Sequence, residues 1–105
     1  MTWQGNILRV DLSKGTHEIE PLNTEWAQLY LGERGLATKY LWESMDPRTD
    51  PMDPANVLIF ATGPLTGTMA STSGRYAVVT KGPLTGAIAC SNSGGKFGAE
   101  LKFAG

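Results

Sequence analysis

Val57-Leu58-Ile59-Phe60-Ala61-Thr62, running directly into Gly63-Pro64-Leu65-Thr66-Gly67, is the stretch whose reading decides the fold. Five consecutive apolar residues bounded by a glycine-proline turn predict a buried strand rather than a helix, because the run has strand length and no helical period. Two further runs share its texture, Arg75-Tyr76-Ala77-Val78-Val79-Thr80 and Ala87-Ile88-Ala89-Cys90. Three buried strands are therefore expected. The pentapeptide returns as Gly82-Pro83-Leu84-Thr85-Gly86, beginning 19 residues after its first copy. Two copies are too few for a solenoid. They read as one turn type used twice, with proline fixing φ and the flanking glycines allowing unusual dihedrals.

Upstream, Ile7, Arg9 and Asp11 alternate with Leu8, Val10 and Leu12; Ser13-Lys14-Gly15 and then Thr16-His17-Glu18-Ile19-Glu20 follow, the pattern of a β-hairpin. Asn23 or Thr24 can cap a short helix over Glu25-Trp26-Ala27-Gln28-Leu29-Tyr30-Leu31, which Gly32 can end. A second helical pattern begins at Glu33, with Leu36, Tyr40, Leu41 and Met45 forming a stripe expected to face the sheet, and it stops before Pro47. Pro47, Pro51 and Pro54 make residues 46–54 an irregular loop. After the last strand, Asn92-Ser93-Gly94-Gly95 reads as a glycine-rich loop leading into a helix that ends at Gly105. The fold class expected is α+β, rich in β. All 105 residues form a single domain, with an unpaired sheet edge and a terminal helix that suggest an incomplete one.

The composition sets limits on function. With 9 Lys and Arg against 10 Asp and Glu, the net charge of -1 argues against a general electrostatic attraction to nucleic acid or to an anionic membrane surface. No run approaches the ~18 apolar residues of a membrane span. A single cysteine, Cys90, cannot form an internal disulfide, and no basic stretch followed by a long apolar run opens the chain. The expected compartment is a reducing cytoplasm. Against the 41% hydrophobic and 18% charged content, 13 glycines and 6 prolines indicate a folded chain with many turns.

The common catalytic groups find little support. His17 lies in a polar hairpin strand far in sequence from Cys90, so no Cys-His or Ser-His-Asp arrangement is indicated, and the residue reads as a solvated surface histidine. One cysteine and one histidine are too few for a zinc or iron-sulfur site. Cys90 itself reads as a small buried hydrophobe in a strand. What stands out is Ser71-Thr72-Ser73-Gly74-Arg75-Tyr76 together with Asn92-Ser93-Gly94-Gly95. Both are small, hydroxyl-bearing and glycine-rich, which lets backbone N–H groups approach an anionic ligand closely. Arg75 can bind phosphate or a planar heterocycle in two-pronged fashion, and the start of the last helix favours phosphate. Tight structural turns explain the same residues equally well. Neither a Walker motif nor a dinucleotide-binding glycine fingerprint is present.

Four phrases carry a resemblance: Gly32-Glu33-Arg34-Gly35-Leu36-Ala37; Ala61-Thr62-Gly63-Pro64-Leu65-Thr66-Gly67-Thr68; Ser73-Gly74-Arg75-Tyr76-Ala77-Val78-Val79-Thr80-Lys81; and the whole segment from Ala89 to Gly105. In this order they closely resemble the N-terminal domain of tungsten-containing aldehyde:ferredoxin oxidoreductases, over essentially the full chain. Enzymes of that family are several times longer. The resemblance implies a domain whose two sheets form the base for tungsten held by two pterin dithiolenes, with Mg on the pterin phosphates. It implies oxidation of aldehydes to carboxylic acids, the electrons passing one at a time through a [4Fe-4S] cluster to ferredoxin. By motif, Arg75 matches the arginine between pterin and cluster, and Asn92, Ser93, Gly94 and Gly95 match the loop at the pterin and its phosphate.

The departures define what this segment lacks. The family's cluster cysteines, second pterin-binding segment and acid/base groups come from later in the chain, and Cys90 matches no cluster ligand. The 105 residues alone are thus expected to be inactive, with the remainder of an enzyme chain as their first partner and self-association left open. Two alternatives stand beside this reading: part of an aromatic acyl-CoA reductase tungsten subunit, and a stand-alone binding module with the same fold and no catalysis. A reading frame continuing past Gly105 separates the last of these from the others. Molybdenum in place of tungsten is the lesser metal alternative.

Overall fold

A computed structural model describes residues 2–105. The chain opens with an antiparallel hairpin, β1 (Asn6–Asp11) and β2 (Thr16–Pro21), in a register that sets Asn6 opposite Pro21 and Asp11 opposite Thr16. The Asp11 carboxylate accepts from the backbone N–H groups of Ser13 and Lys14 at 3.0 and 3.1 Å, and Gly15 takes φ +67°. This is the turn expected from the sequence. The core-facing side differs from a simple reading of the alternation. Ile7, on the mostly polar face, packs into the interior, whereas Leu8, Val10 and Ile19 lie exposed.

Helix α1 (Thr24–Tyr30) is capped by Asn23, whose Oδ1 accepts from the Trp26 N–H at 3.1 Å. The Asn23 N–H in turn donates to the Tyr40 hydroxyl at 3.0 Å, tying α1 to helix α2 (Glu33–Ser44). Helix α2 organises the interior from two adjacent rows of side chains. Leu36 and Tyr40 cluster with Ala27 and the hairpin side, while Ala37 and Leu41 close over Val79 of the second sheet. The stripe predicted to face the sheet does so with only half of its residues.

That second sheet is antiparallel, in the order β3 (Ile59–Thr62), β4 (Tyr76–Lys81), β5 (Ile88–Ser93). Val57 and Leu58, counted with the first strand from sequence, fall outside the ladder; the Thr80 hydroxyl donates to the Val57 carbonyl at 2.7 Å. Strand β4 alternates cleanly, with Ala77 and Val79 completely buried beneath α2. The expectation of three buried strands holds only at alternate residues of β4: β3 is half-buried with Phe60 exposed, and β5 is exposed along its whole length, Cys90 included. The reason is geometric. Helix α2 packs on β4 and β3, and β5 is left as the sheet edge. Helix α3 (Phe97–Phe103) then crosses back, placing Phe97 against Tyr76 and Phe60 at ring-centroid distances of 4.9 and 6.3 Å. The architecture is α+β, two small sheets with three short helices.

The repeated pentapeptide makes turns both times, ending each on a glycine at positive φ, +74° for Gly67 and +69° for Gly86. Their surroundings differ. Gly86 donates back to the Gly82 carbonyl at 2.9 Å in an exposed β4–β5 hairpin, with Leu84 97% accessible. Gly67 donates instead to the Ser73 carbonyl at 2.8 Å, and Thr66 beside it is buried. The first copy is built into the interior and the second is a surface turn. Residues 46–54, read as irregular, form a chain of turns in which Asp46, Asp50 and Asp53 each accept from the N–H two residues on at 2.8 Å. No helix among the described residues is long and apolar enough to cross a membrane.

Candidate functional site

The first pentapeptide, the α1–α2 junction and the loop before β4 enclose an open cleft of about 570 Å³. One wall is Gly32, Glu33, Arg34 and Gly35; the floor is Gly63, Pro64 and Thr66; Ser71, Thr72, Ser73, Arg75 and Asn92 complete the far side. Arg34 and Arg75 are exposed into solvent and neither forms an ion pair among the described residues, whose three salt bridges lie elsewhere. Two arginines against one carboxylate, Glu33, give the cleft a local excess of positive charge on a chain of net charge -1.

The floor is held from beneath. The Thr66 hydroxyl accepts from the Gly63 N–H at 2.9 Å and donates to the Arg75 carbonyl at 3.0 Å, so one buried side chain joins the turn after β3 to the lead into β4. From α3, the Lys102 ammonium donates to the Gly63 and Pro64 carbonyls at 3.1 and 2.6 Å. Lys102 is 7% exposed, and this burial lowers its pKa from the usual lysine value. Folding therefore disfavours its protonated form, and the sign follows: the penalty is present at neutral pH and fades as pH rises towards the lysine range. Thermal melts from pH 7 to 10 should show the wild type gaining stability relative to Lys102→Met as pH increases.

Backbone strain gathers at the same place. Among the described residues, three that are not glycine have positive φ, Leu31 (+66°), Glu33 (+46°) and Thr72 (+58°), and all three line the cleft. Such conformations cost on the order of 1–3 kcal/mol each and concentrate at ligand sites. Gly32 lies between two of them with an extended φ of 171°. The sequence suggested that Gly32 ends α1, whereas Leu31 takes the C-cap position. What Gly32 supplies is space. A Cβ there would sit 2.9 Å from the Gly63 Cα and 2.9 Å from the Thr62 carbonyl oxygen.

Of the residues selected from sequence, Ser71, Thr72, Ser73, Arg75 and Asn92 meet in the cleft. Ser93 lies outside its lining; it is the last residue of β5, opposite Tyr76, and alternates to the other face from Asn92. The loop is thus shorter than read, since Asn92 and Ser93 belong to the strand. Gly94 and Gly95 form the turn into α3, with open space where a side chain would be, and Gly95 has φ +83°. Neither lines the cleft. Helix α3 has seven residues and its N-cap, Lys96, makes no side-chain cap bond. His17 is exposed on the hairpin, away from this site, and no group of three or more His, Cys, Asp or Glu capable of holding a metal occurs among the described residues. Sequence reasoning missed Arg34 and Lys102. The flanking glycines Gly32 and Gly35 were the available signal for the first; a lysine in a short helix offered none for the second.

Residues 7–105, which include the whole cleft, match the family described as "Aldehyde ferredoxin oxidoreductase, N-terminal domain". The chain belongs to this family. It is 62% identical over 101 residues to the tungsten-containing aldehyde ferredoxin oxidoreductase of Pyrococcus horikoshii and 58% identical to that of Pyrococcus furiosus, matching 96% of this chain and 17% of each relative. A 31% match over 106 residues joins it to an aliphatic sulfonate oxidoreductase, WOR-like subunit, of Pyrococcus furiosus. Among solved structures, the active site complex BamBC of benzoyl coenzyme A reductase, with 1,5 dienoyl-CoA, superposes at a TM-score of 0.95 with 41% identity, covering 99% of this chain and 16% of that one. The chain therefore spans about one sixth of the length of the relatives it matches.

Proposed function

We propose that these residues are the N-terminal, incomplete part of a cofactor domain in a tungsten-pterin oxidoreductase of the aldehyde:ferredoxin type. One observation carries the reading: both unpaired arginines and all three strained residues converge on a single cleft. Its donors suit the group. Arg75 and Arg34 offer charge-assisted, two-pronged bonds to phosphate or to a heterocycle, Asn92 and the hydroxyls of residues 71–73 offer neutral ones, and just past Asn92, outside the lining, the glycines at 94 and 95 leave open space.

In this reading Arg75 and Asn92 hold the pterin, the turn at Gly94 and Gly95 borders it, and Mg balances the phosphates. The cofactor supplies the two-electron oxidation of an aldehyde to a carboxylic acid, while this chain supplies position and positive potential. The [4Fe-4S] cluster, the substrate pocket and the contact with ferredoxin belong to residues beyond these 105, in a protein of the cytoplasm. A second reading, as part of an aromatic acyl-CoA reductase, is favoured by the 0.95 superposition on the benzoyl coenzyme A reductase complex. The 57–62% identities to aldehyde oxidoreductases favour the first.

The test is Arg75→Ala in the full-length enzyme, with His17→Ala as the distant control. Losing a charge-assisted hydrogen bond of about 1.5–3 kcal/mol should reduce retained tungsten and pterin roughly tenfold or more, measured by elemental mass spectrometry on purified protein. Wild-type tungsten content in Arg75→Ala would remove the basis of the assignment. Turnover of aldehydes against aromatic acyl-CoA by the same preparation separates the two readings.

A further inference from the structure

We infer that Lys102 is a positioning residue for the cofactor cleft, its buried ammonium fixing the floor at Gly63 and Pro64 and placing a positive charge behind it. The inference rests on the cofactor reading of the cleft. Lysines are rarely this buried without a carboxylate, and Lys102 has no acidic partner among the described residues. Among the described residues its only acceptors are two neutral carbonyls, both of residues that line the cleft.

A strut alone does not require a charge there. Pro64 has no N–H and the Gly63 carbonyl already accepts from the Thr66 N–H at 3.2 Å, so a neutral donor would complete the hydrogen bonding of this turn. An ammonium costs desolvation that a neutral amide avoids. Its position offers the return: a unit charge shielded from water acts strongly across the thin wall of a site that takes an anionic ligand. The same helix controls the opposite side of the cleft. Gly98 packs so closely that a Cβ there would lie 2.9 Å from the Gly74 carbonyl oxygen and 3.4 Å from that of Arg75. Helix α3 thus sets the floor through Lys102 and the lead into Arg75 through Gly98, with Thr66 bonded to both parts.

The experiment compares full-length wild type with Lys102→Gln and Lys102→Met, reading tungsten per chain and the melting temperature of each cofactor-free form. Glutamine keeps a donor and loses the charge. The expected result is a roughly tenfold loss of retained tungsten in both variants, the size seen when groups behind a metal site are changed, with the cofactor-free melting temperature of Lys102→Gln near that of wild type. A folded Lys102→Gln that retains wild-type tungsten overturns the inference, as does a tungsten loss accompanied by an equal fall in cofactor-free stability. If Lys102→Met does not fold, Lys102→Gln decides alone. Arg75→Ala measured in parallel separates the two levels: wild-type tungsten in that variant defeats the cleft reading itself, whereas depletion there with Lys102→Gln unaffected defeats only the role of Lys102.

Discussion

Leu41→Ala is expected to destabilise the segment by about 2–5 kcal/mol, enough to remove much of the margin of a small domain. Leu41 is 4% exposed and belongs to the cluster in which α2 meets Val79, flanked by Met45, Val57, Ile59 and Ala61. Val79 at its centre is fully buried, so neighbours cannot readily collapse into the vacated volume. The core is also divided. Among the described residues, three are buried in this cluster and three in the one beneath the hairpin, so each side chain carries a large share of the total. Urea unfolding of the two proteins should show a lower midpoint at unchanged slope. A shift corresponding to less than about 0.5 kcal/mol, the range expected for an exposed site such as Leu84, would mean that α2 does not depend on this contact.

How far the sequence reveals this arrangement depends on how local each cause is. The hairpin turn at residues 11–15 and the Asn23 cap arise from neighbours in the chain and are legible there, as is β4 as a strand; its alternation, where the sequence suggested burial throughout, is set by α2 covering one face. Cys90 shows the limit. Ala87-Ile88-Ala89-Cys90 has the same apolar texture as the interior strand, and only the extent of α2, which stops short of the edge, leaves it exposed. The two pentapeptides make the same point, since identical residues form a surface turn in one copy and the floor of a cleft in the other. Arg75 and Asn92 were visible from residue type and motif resemblance. Lys102 was not, because what distinguishes it is a pair of carbonyls 38 and 39 residues away. The resemblance in Gly32-Glu33-Arg34-Gly35 pointed to a family, but not to the reason for Gly32, which is contact with Gly63 rather than helix termination.

Two glycines on either side of the α3 start should separate packing from ligand access. Gly98→Ala places a methyl 2.9 Å from the Gly74 carbonyl oxygen and 3.3 Å from the Thr66 Cγ2. The nearest obstacle is backbone, so α3 must move away, at a cost of about 1–3 kcal/mol typical of overpacking. That displacement carries Lys102 with it and opens the close packing of Gly98 against the Arg75 carbonyl. The full-length Gly98→Ala enzyme should therefore lose both stability and tungsten. Gly94→Ala is the counterpart, because nothing lies within 4 Å of its added methyl and its φ is not in the left-handed region. Its stability should remain within about 0.5 kcal/mol of wild type. If the glycine is there to let the cofactor approach, tungsten retention should nevertheless fall, and a Gly94→Ala enzyme with normal stability and normal tungsten would place the cofactor away from this turn. The informative result is the divergence of the pair: a loss of tungsten that follows stability at Gly98 and is independent of it at Gly94 requires the ligand to sit against residues 94–95, with α3 behind them as its support.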